Sequence, residues 1–202
     1  AGRVGFSRLW HSLCGMRQEK QVLFFLLAFF FYIDGVYTII DMATAYGSAL
    51  GLDSTGLLLA LLVTQIVACP FSLLFGRLSG RIEPQQLITV CICAYVGIAV
   101  FAMFLHSQVR FWILAVCVGM FQGGIQALSR SYFAKIIPQE KSGEYFGLLD
   151  ICGKGAAFMG TAVVSIISPV TGSMNLGVGA IVVLFLFGII LFRKAVAYET
   201  EA

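Results

Sequence analysis

Six long apolar segments make up most of the chain, and they constrain its fold more than any other feature of the sequence. Each is close to the roughly 20 residues that a helix needs to cross a bilayer. Continuous apolar runs of this length differ from the short alternating strands of a membrane β-barrel. The sequence therefore predicts an all-α membrane protein, a bundle of six transmembrane helices in a lipid bilayer. The segments are residues 21–49, 56–76, 85–105, 111–133, 145–168 and 175–192.

The composition agrees with this class and argues against several functions. Only 11% of the residues are charged, whereas a soluble domain carries about 25%. A net charge of +3 does not indicate a nucleic-acid-binding protein. The sequence has no G-x-x-x-x-G-K-[S/T] phosphate loop, and the histidines, His11 and His106, lie outside the apolar segments. The cysteines lack zinc-ligand spacing. We therefore expect no enzyme activity, no cofactor, no metal and no nucleic-acid partner.

The basic residues predict the orientation of the chain. Nearly all of them flank one side of the predicted membrane, and Arg110 alone flanks the other. The positive-inside rule assigns the basic side to the cytoplasm. We therefore predict a multi-pass protein of the plasma membrane with both termini in the cytoplasm. The basic set is Arg3, Arg8, Arg17, Lys20, Arg77, Arg81, Arg130, Lys135, Lys141, Arg193 and Lys194.

Three regions follow from this pattern. Residues 1–20 precede the first segment, residues 21–194 form the six-helix transmembrane domain, and residues 195–202 form a cytoplasmic tail. Four apolar residues in the first region share one helical face, which predicts a short amphipathic helix on the cytoplasmic leaflet. An irregular linker fits so short a stretch equally well. The four residues are Phe6, Leu9, Trp10 and Leu13.

Charged side chains inside the apolar segments are the first candidates for functional residues. Asp34 and Asp41 lie seven residues apart in the first segment, and with Thr38 they share one face of a helix. A carboxylate at the bilayer centre costs ~3 kcal/mol on insertion scales, and such groups usually mark substrate or proton routes. Lys154 is similarly placed in the fifth segment, where Asp150, four residues earlier, is its predicted local partner.

Amide side chains extend this polar set. The glutamines Gln65, Gln122 and Gln126 fit two interpretations equally well: they form hydrogen bonds that hold helices together, or they line a transport pathway. Arg130, near the cytoplasmic end of the fourth segment, is predicted to extend its guanidinium to the cytoplasmic surface. The candidate substrate or proton pathway consists of Asp34, Thr38, Asp41, Gln65, Gln122, Gln126, Asp150 and Lys154.

Three stretches of the chain resemble a known family. FYIDGVYTII, GGIQALSRSYFAKIIP and EYFGLLDICGKGAAFMG resemble the C-terminal half of the vacuole-effluxer-like permeases. This branch of the major facilitator superfamily includes the autophagy-related vacuolar amino-acid effluxers. The resemblance covers nearly the whole chain, including GFSRLW, which looks like the end of that family's central cytoplasmic loop. It implies two inverted three-helix repeats, normally one half of a twelve-helix transporter with alternating access.

One short stretch resembles the cytoplasmic gate of the same superfamily. GRLSGR, residues 76–81, is similar to the G-x-x-x-D-R loop, which helps to latch that gate. Gly80 stands where an aspartate is usual, so the carboxylate that would cap a helix and hold an arginine is missing. The candidate gate residues are Gly76, Arg77, Arg81 and Arg130.

Two hypotheses about function follow. The first is a secondary active transporter, or the C-terminal half of one, that moves small polar organic solutes. Amino acids are its candidate substrates by resemblance alone, and protons its candidate coupling ions. The alternative is a non-transporting six-helix subunit or scaffold whose intramembrane charges lock assembly. The expected partners are lipid, a solute, and an N-terminal six-helix half or a second copy of the chain. In the resembling fold, Asp34 and Lys154 are predicted to meet across the cavity in one gating state.

Overall fold

The structure, a computed structural model, describes residues 20–49, 51–104, 106–172, 177 and 179–200. Within these residues, six α-helices are long and apolar enough to cross a membrane. This confirms the predicted all-α, six-span fold. Residues 1–19, which contain the predicted amphipathic helix, lie outside the described residues. The helices are α1 (Lys20–Ala49), α2 (Ser54–Leu78), α3 (Pro84–Met103), α4 (Gln108–Ile136), α5 (Ser142–Thr171) and α6 (Ile181–Thr200), with a short 3₁₀ helix (Gln139–Lys141) before α5.

The helix ends follow from local chemistry at the breaks between segments. Asp53 caps α2 by accepting a hydrogen bond from the Gly56 amide at 2.8 Å. Pro84 opens α3, where its missing N–H leaves nothing unsatisfied. Gly172 ends α5 with a φ of 65°, a conformation that glycine adopts without strain. As a result, the first five helices begin and end within three residues of the predicted segments.

The sixth helix departs from its predicted segment, because it begins later and continues further. Packing contacts, which hydropathy does not measure, stabilise the part of α6 that lies beyond the apolar segment. Ala195 is fully buried, and the Tyr198 ring stacks on Phe24 of α1 with 5.5 Å between ring centroids. The predicted cytoplasmic tail, residues 195–202, is therefore helical as far as Thr200.

Helix α1 is the most enclosed of the six spans. It packs most extensively on α6, and also on α5 and α4. Helix α4 packs on α2 and α3, and helix α3 packs on α6. This pattern of neighbours is unchanged when α1 exchanges with α4, α2 with α5, and α3 with α6. Such an exchange is what two three-helix repeats require. The arrangement agrees with half of a major facilitator fold.

Small residues let α2 and α4 approach closely. A Cβ atom on Gly119 would lie 2.6 Å from the backbone oxygen of Thr64, and one on Gly123 would lie 3.0 Å from that of Ala68. Glycines four residues apart on one helix face are typical of tightly packed membrane helices. The packing therefore fixes which faces of α2 and α4 meet.

An aromatic cluster holds α1 against α4 and α6. The ring of Phe25 on α1 lies 5.3 Å from Tyr132, 5.5 Å from Phe133 and 6.1 Å from Phe192, measured between centroids. These separations are in the range of favourable aromatic pairs. Since two faces of α1 are committed to α4 and α6, its remaining inward face meets α5.

We expect a cysteine replacing His106, in the α3–α4 connection, to face the outside of the cell. One replacing Gln139, in the α4–α5 connection, should face the cytoplasm, because basic residues flank that side. Both positions are exposed in the fold. The measurement is labelling of intact cells with an impermeant maleimide, in a variant whose native cysteines are replaced. Labelling of Gln139→Cys but not of His106→Cys would reverse the orientation.

Candidate functional site

Two groups of polar residues lie between α5 and its neighbouring helices. The first, called the α1–α5 seam, consists of Asp34, Thr38 and Gly160. The second, called the polar pocket, lies among α1, α4 and α5 and opens to the surface of the bundle. Its lining residues are Phe29, Tyr37, Gln126, Arg130, Leu149, Asp150, Gly153 and Lys154.

At the α1–α5 seam, a carboxylate meets the backbone of a neighbouring helix. Asp34 stands halfway along the 30-residue α1 and is 0% exposed. Its Oδ1 atom accepts a hydrogen bond from the Gly160 amide at 2.9 Å. A Cβ on residue 160 would overlap Thr38 Oγ1 and would lie 3.2 Å from Asp34 Oδ1. Because Gly160 has no side chain, the α5 backbone can approach to within hydrogen-bonding distance of Asp34.

Two polar atoms at the seam are buried without a hydrogen-bond partner among the described residues. They are Asp34 Oδ2 and Thr38 Oγ1. An unsatisfied buried polar group costs about 1–3 kcal/mol, so such groups are uncommon in folded proteins and call for an explanation. The seam therefore has the capacity to bind one more proton or polar atom. Asp41, predicted on the same face, is instead exposed nearer the end of α1.

An ion pair spans the polar pocket. Arg130 Nη2 on α4 lies 2.7 Å from Asp150 Oδ1 on α5, with side chains 55% and 47% exposed. Helices α4 and α5 make little direct packing contact elsewhere. The pair therefore bridges two helices across a gap, and the pocket of about 120 Å³ lies beside it.

This ion pair corrects the expected partner of Asp150. Asp150 pairs with Arg130 and not with Lys154, because the planar guanidinium on α4 reaches across the gap in hydrogen-bonding geometry. Arg130 stays 55% exposed while it pairs with Asp150, and its extension to the cytoplasmic surface stays a prediction. Within the described part of the chain, Lys154 lines the same pocket and forms no ion pair.

The predicted contact between Asp34 and Lys154 is not formed among the described residues in this conformation. The charged atoms of Asp34 face the seam, where Gly160 is the hydrogen-bond donor. Lys154 is exposed and lines the polar pocket. A meeting of these two charges in another gating state stays a prediction.

The remaining predicted residues are dispersed. Gln126 lines the polar pocket, whereas Gln122 is half-buried with an Oε1 atom that lacks a hydrogen-bond partner within the described ranges. Gln65 is exposed on α2 and does not line the pocket. The candidate gate residues Gly76 and Arg77 are exposed in the last turn of α2, and Arg81 in the turn that follows.

Sequence reasoning missed Gly160 and Phe29. Gly160 is one of several glycines in α5, and its role depends on which residue of α1 it meets. Phe29 reads as a core aromatic and packs on Tyr32 with ring centroids 5.6 Å apart, yet it also lines the pocket. The signal that the sequence offered for Gly160 was its position near the middle of its span, at a depth similar to that of Asp34.

We predict that Gly160→Ala destabilises the protein by about 1–3 kcal/mol, the usual cost of forcing an extra methyl into packed structure. The new Cβ would push α5 away from Thr38 and weaken the hydrogen bond to Asp34. Gly155→Ala is the matched control, since a Cβ there meets nothing within 4 Å and alanine favours a helix by about 1 kcal/mol. Thermal unfolding in detergent measures both. Equal melting temperatures for the two variants would contradict the close approach.

Comparisons with known proteins bear on this arrangement. Residues 3–200 match the family model described as "Vacuole effluxer Atg22 like". The chain is 45% identical over 186 residues to the "Uncharacterized MFS-type transporter YxiO" of Bacillus subtilis (strain 168), covering 92% of this chain and 44% of that relative. It is 27% identical over 195 residues to "Autophagy-related protein 22" of Kluyveromyces lactis, covering 91% of this chain and 39% of the relative.

A second protein named "Autophagy-related protein 22", from Cryptococcus neoformans var. neoformans serotype D, is 28% identical over 193 residues, covering 84% of this chain and 34% of the relative. The chain thus spans less than half the length of the curated relatives it matches. Their names describe transport and autophagy, and the family is one of transporters, which argues against an enzyme. The family resemblance predicted from the three sequence stretches is confirmed, and the chain belongs to the vacuole effluxer Atg22-like family.

Proposed function

We propose that this chain is the C-terminal six-helix half of a secondary active transporter. In this proposal the transporter moves small polar organic solutes by alternating access, with amino acids as candidate substrates and protons as coupling ions. The observation that carries the proposal is the polar pocket, an opening with three charged side chains within the spans of a bundle from a transporter family.

The depth of the pocket supports a solute pathway. Lys154 lies twelve residues into α5, roughly 18 Å along the helix axis at 1.5 Å per residue. That position is close to the middle of a hydrocarbon core about 30 Å thick. Charges at this depth usually face a water-filled path, because exposure to lipid is costly. The polar pocket lies at the same depth, so we propose that the water-filled path passes through it.

The α1–α5 seam supports coupling to protons. Asp34 uses one carboxylate oxygen to accept a hydrogen bond from α5, and its other oxygen has no partner in the described structure. A proton on the second oxygen would turn an acceptor into a donor. Gain and loss of that proton would therefore change which groups of α1 and α5 bind each other, which is what a coupling site between two conformations requires.

A second six-helix unit completes the proposed transporter. Exposed apolar residues on α2 include Leu58, Leu62 and Ile66, and the polar pocket opens at the bundle surface. We propose that another six-helix unit, from a longer polypeptide or from a second copy, covers the pocket. We also propose a plasma-membrane location with cytoplasmic termini, on the strength of the basic residues.

We predict that the full-length protein, in liposomes, exchanges radiolabelled L-amino acids and accumulates them in response to a pH gradient. Asp34→Asn should abolish accumulation but keep counterflow exchange, because an amide keeps the acceptor for Gly160 but does not take up and release a proton. The measurement is uptake with and without the gradient, for each amino acid separately.

Asp53→Asn is the matched control for this carboxylate-to-amide change. Asp53 caps α2, asparagine caps equally well, and transport should equal that of the parent. Undiminished gradient-driven accumulation by Asp34→Asn would contradict the proposal that Asp34 couples transport to protons. Absence of exchange by a well-folded parent, across the whole amino-acid panel, would favour the alternative of a non-transporting subunit or scaffold.

A further inference from the structure

We infer that the polar pocket recognises the carboxylate group of its solute through Lys154 and does not recognise an amino group. This inference rests on the proposed function, since it treats the pocket as the solute site. It names the chemical feature that selects the solute: a small carboxylate, with or without an amine.

The first argument is the balance of charge. The lining of the pocket contains two cations, Arg130 and Lys154, and one anion, Asp150. Arg130 and Asp150 neutralise each other at 2.7 Å. Lys154 remains as an ammonium group with no acidic partner within ion-pairing distance among the described residues. The chemical complement of the pocket is therefore an anion with a single charge.

The second argument is the lack of an unpaired acid for a substrate ammonium group. Asp150 is the acidic residue of the lining, and Arg130 already balances its charge through one of the two carboxylate oxygens. The other polar side chains of the lining, those of Gln126 and Tyr37, contain no carboxylate. An amino group on Asp150 would share this carboxylate with the Arg130 guanidinium, so Asp150 attracts an ammonium group less strongly than the unpaired Lys154 attracts a carboxylate.

The third argument is size and wall chemistry. The pocket, of about 120 Å³, is open to the bundle surface and has room for several water molecules. This fits a carboxylate with a short carbon chain. Phe29 and Leu149 supply an apolar wall beside Lys154, so the carbon chain has a surface on which to pack. A strongly hydrated inorganic anion would gain nothing from that wall.

Matched small molecules test the inference without any mutation. L-alanine carries both groups, propionate is alanine without its amine, and ethylammonium is alanine without its carboxylate. The measurement is thermal stabilisation of the purified full-length protein by sodium propionate, L-alanine or ethylammonium chloride, with sodium chloride at equal ionic strength as the blank. We expect propionate and alanine to raise the melting temperature to similar extents, and ethylammonium to behave like the blank.

Variants then assign the effect to Lys154. Lys154→Gln should weaken the apparent affinity for propionate at least tenfold, which corresponds to about 1.4 kcal/mol, and Lys154→Arg should restore most of it by restoring the charge. Lys135→Gln, which removes an exposed cation of α4 outside the pocket lining, should bind like the parent. The restoration by arginine separates a role in binding from a role in folding alone.

Stabilisation by ethylammonium equal to that by propionate would overturn the inference, and so would undiminished propionate binding by a folded Lys154→Gln. Absence of any stabilisation by propionate or alanine in the parent would overturn it as well. None of these results depends on flux. A protein that binds propionate through Lys154 but moves no solute in liposomes would keep the carboxylate site and refute the transporter.

Discussion

Helix α1 is enclosed by α4, α5 and α6, and this enclosure buries its polar side chains Asp34 and Thr38. In hydrocarbon every backbone polar group has to be bonded within the protein, which makes long helices the available elements. Those helices then associate by close packing, because lipid gives little hydrophobic drive between them. The aromatic cluster around Phe25 fixes two faces of α1. A carboxylate on the third face has to find its partner on α5.

The two carboxylates of α1 therefore experience different surroundings on one helix. Asp34 is enclosed and bonded to a backbone amide, whereas Asp41 is exposed two turns later. The charges of the polar pocket differ again, because Arg130 and Asp150 are about half exposed and pair with each other. A pair with that much exposure contributes at most about 1 kcal/mol to stability. Its larger effect is to decide which charge of the pocket remains unpaired.

The sequence was sufficient to predict the spans and to single out several residues that lie in the two polar regions, but it predicted neither the division into two regions nor the partners within them. Hydropathy and capping residues place five helices closely, since both signals are local. The extension of α6 depends on Tyr198 meeting Phe24, a contact between distant parts of the chain. In the same way, helical spacing places Asp150 beside Lys154, but Arg130 competes from another helix. Gly160 has no local signal, because its role depends on its distance from Asp34.

The two polar regions are joined mechanically by α5. Lys154 and Gly160 lie six residues apart on this helix, which is roughly 9 Å along its axis. A shift of α5 relative to α1 that lengthens the Asp34–Gly160 hydrogen bond also moves Lys154 within the polar pocket. If a solute binds one position of α5 more tightly, and a proton on Asp34 also favours one position, each changes the affinity for the other. That coupling is reciprocal by thermodynamic necessity. Because α5 carries both contacts, the proposed coupling of solute to proton does not require a chain of other residues between the two regions.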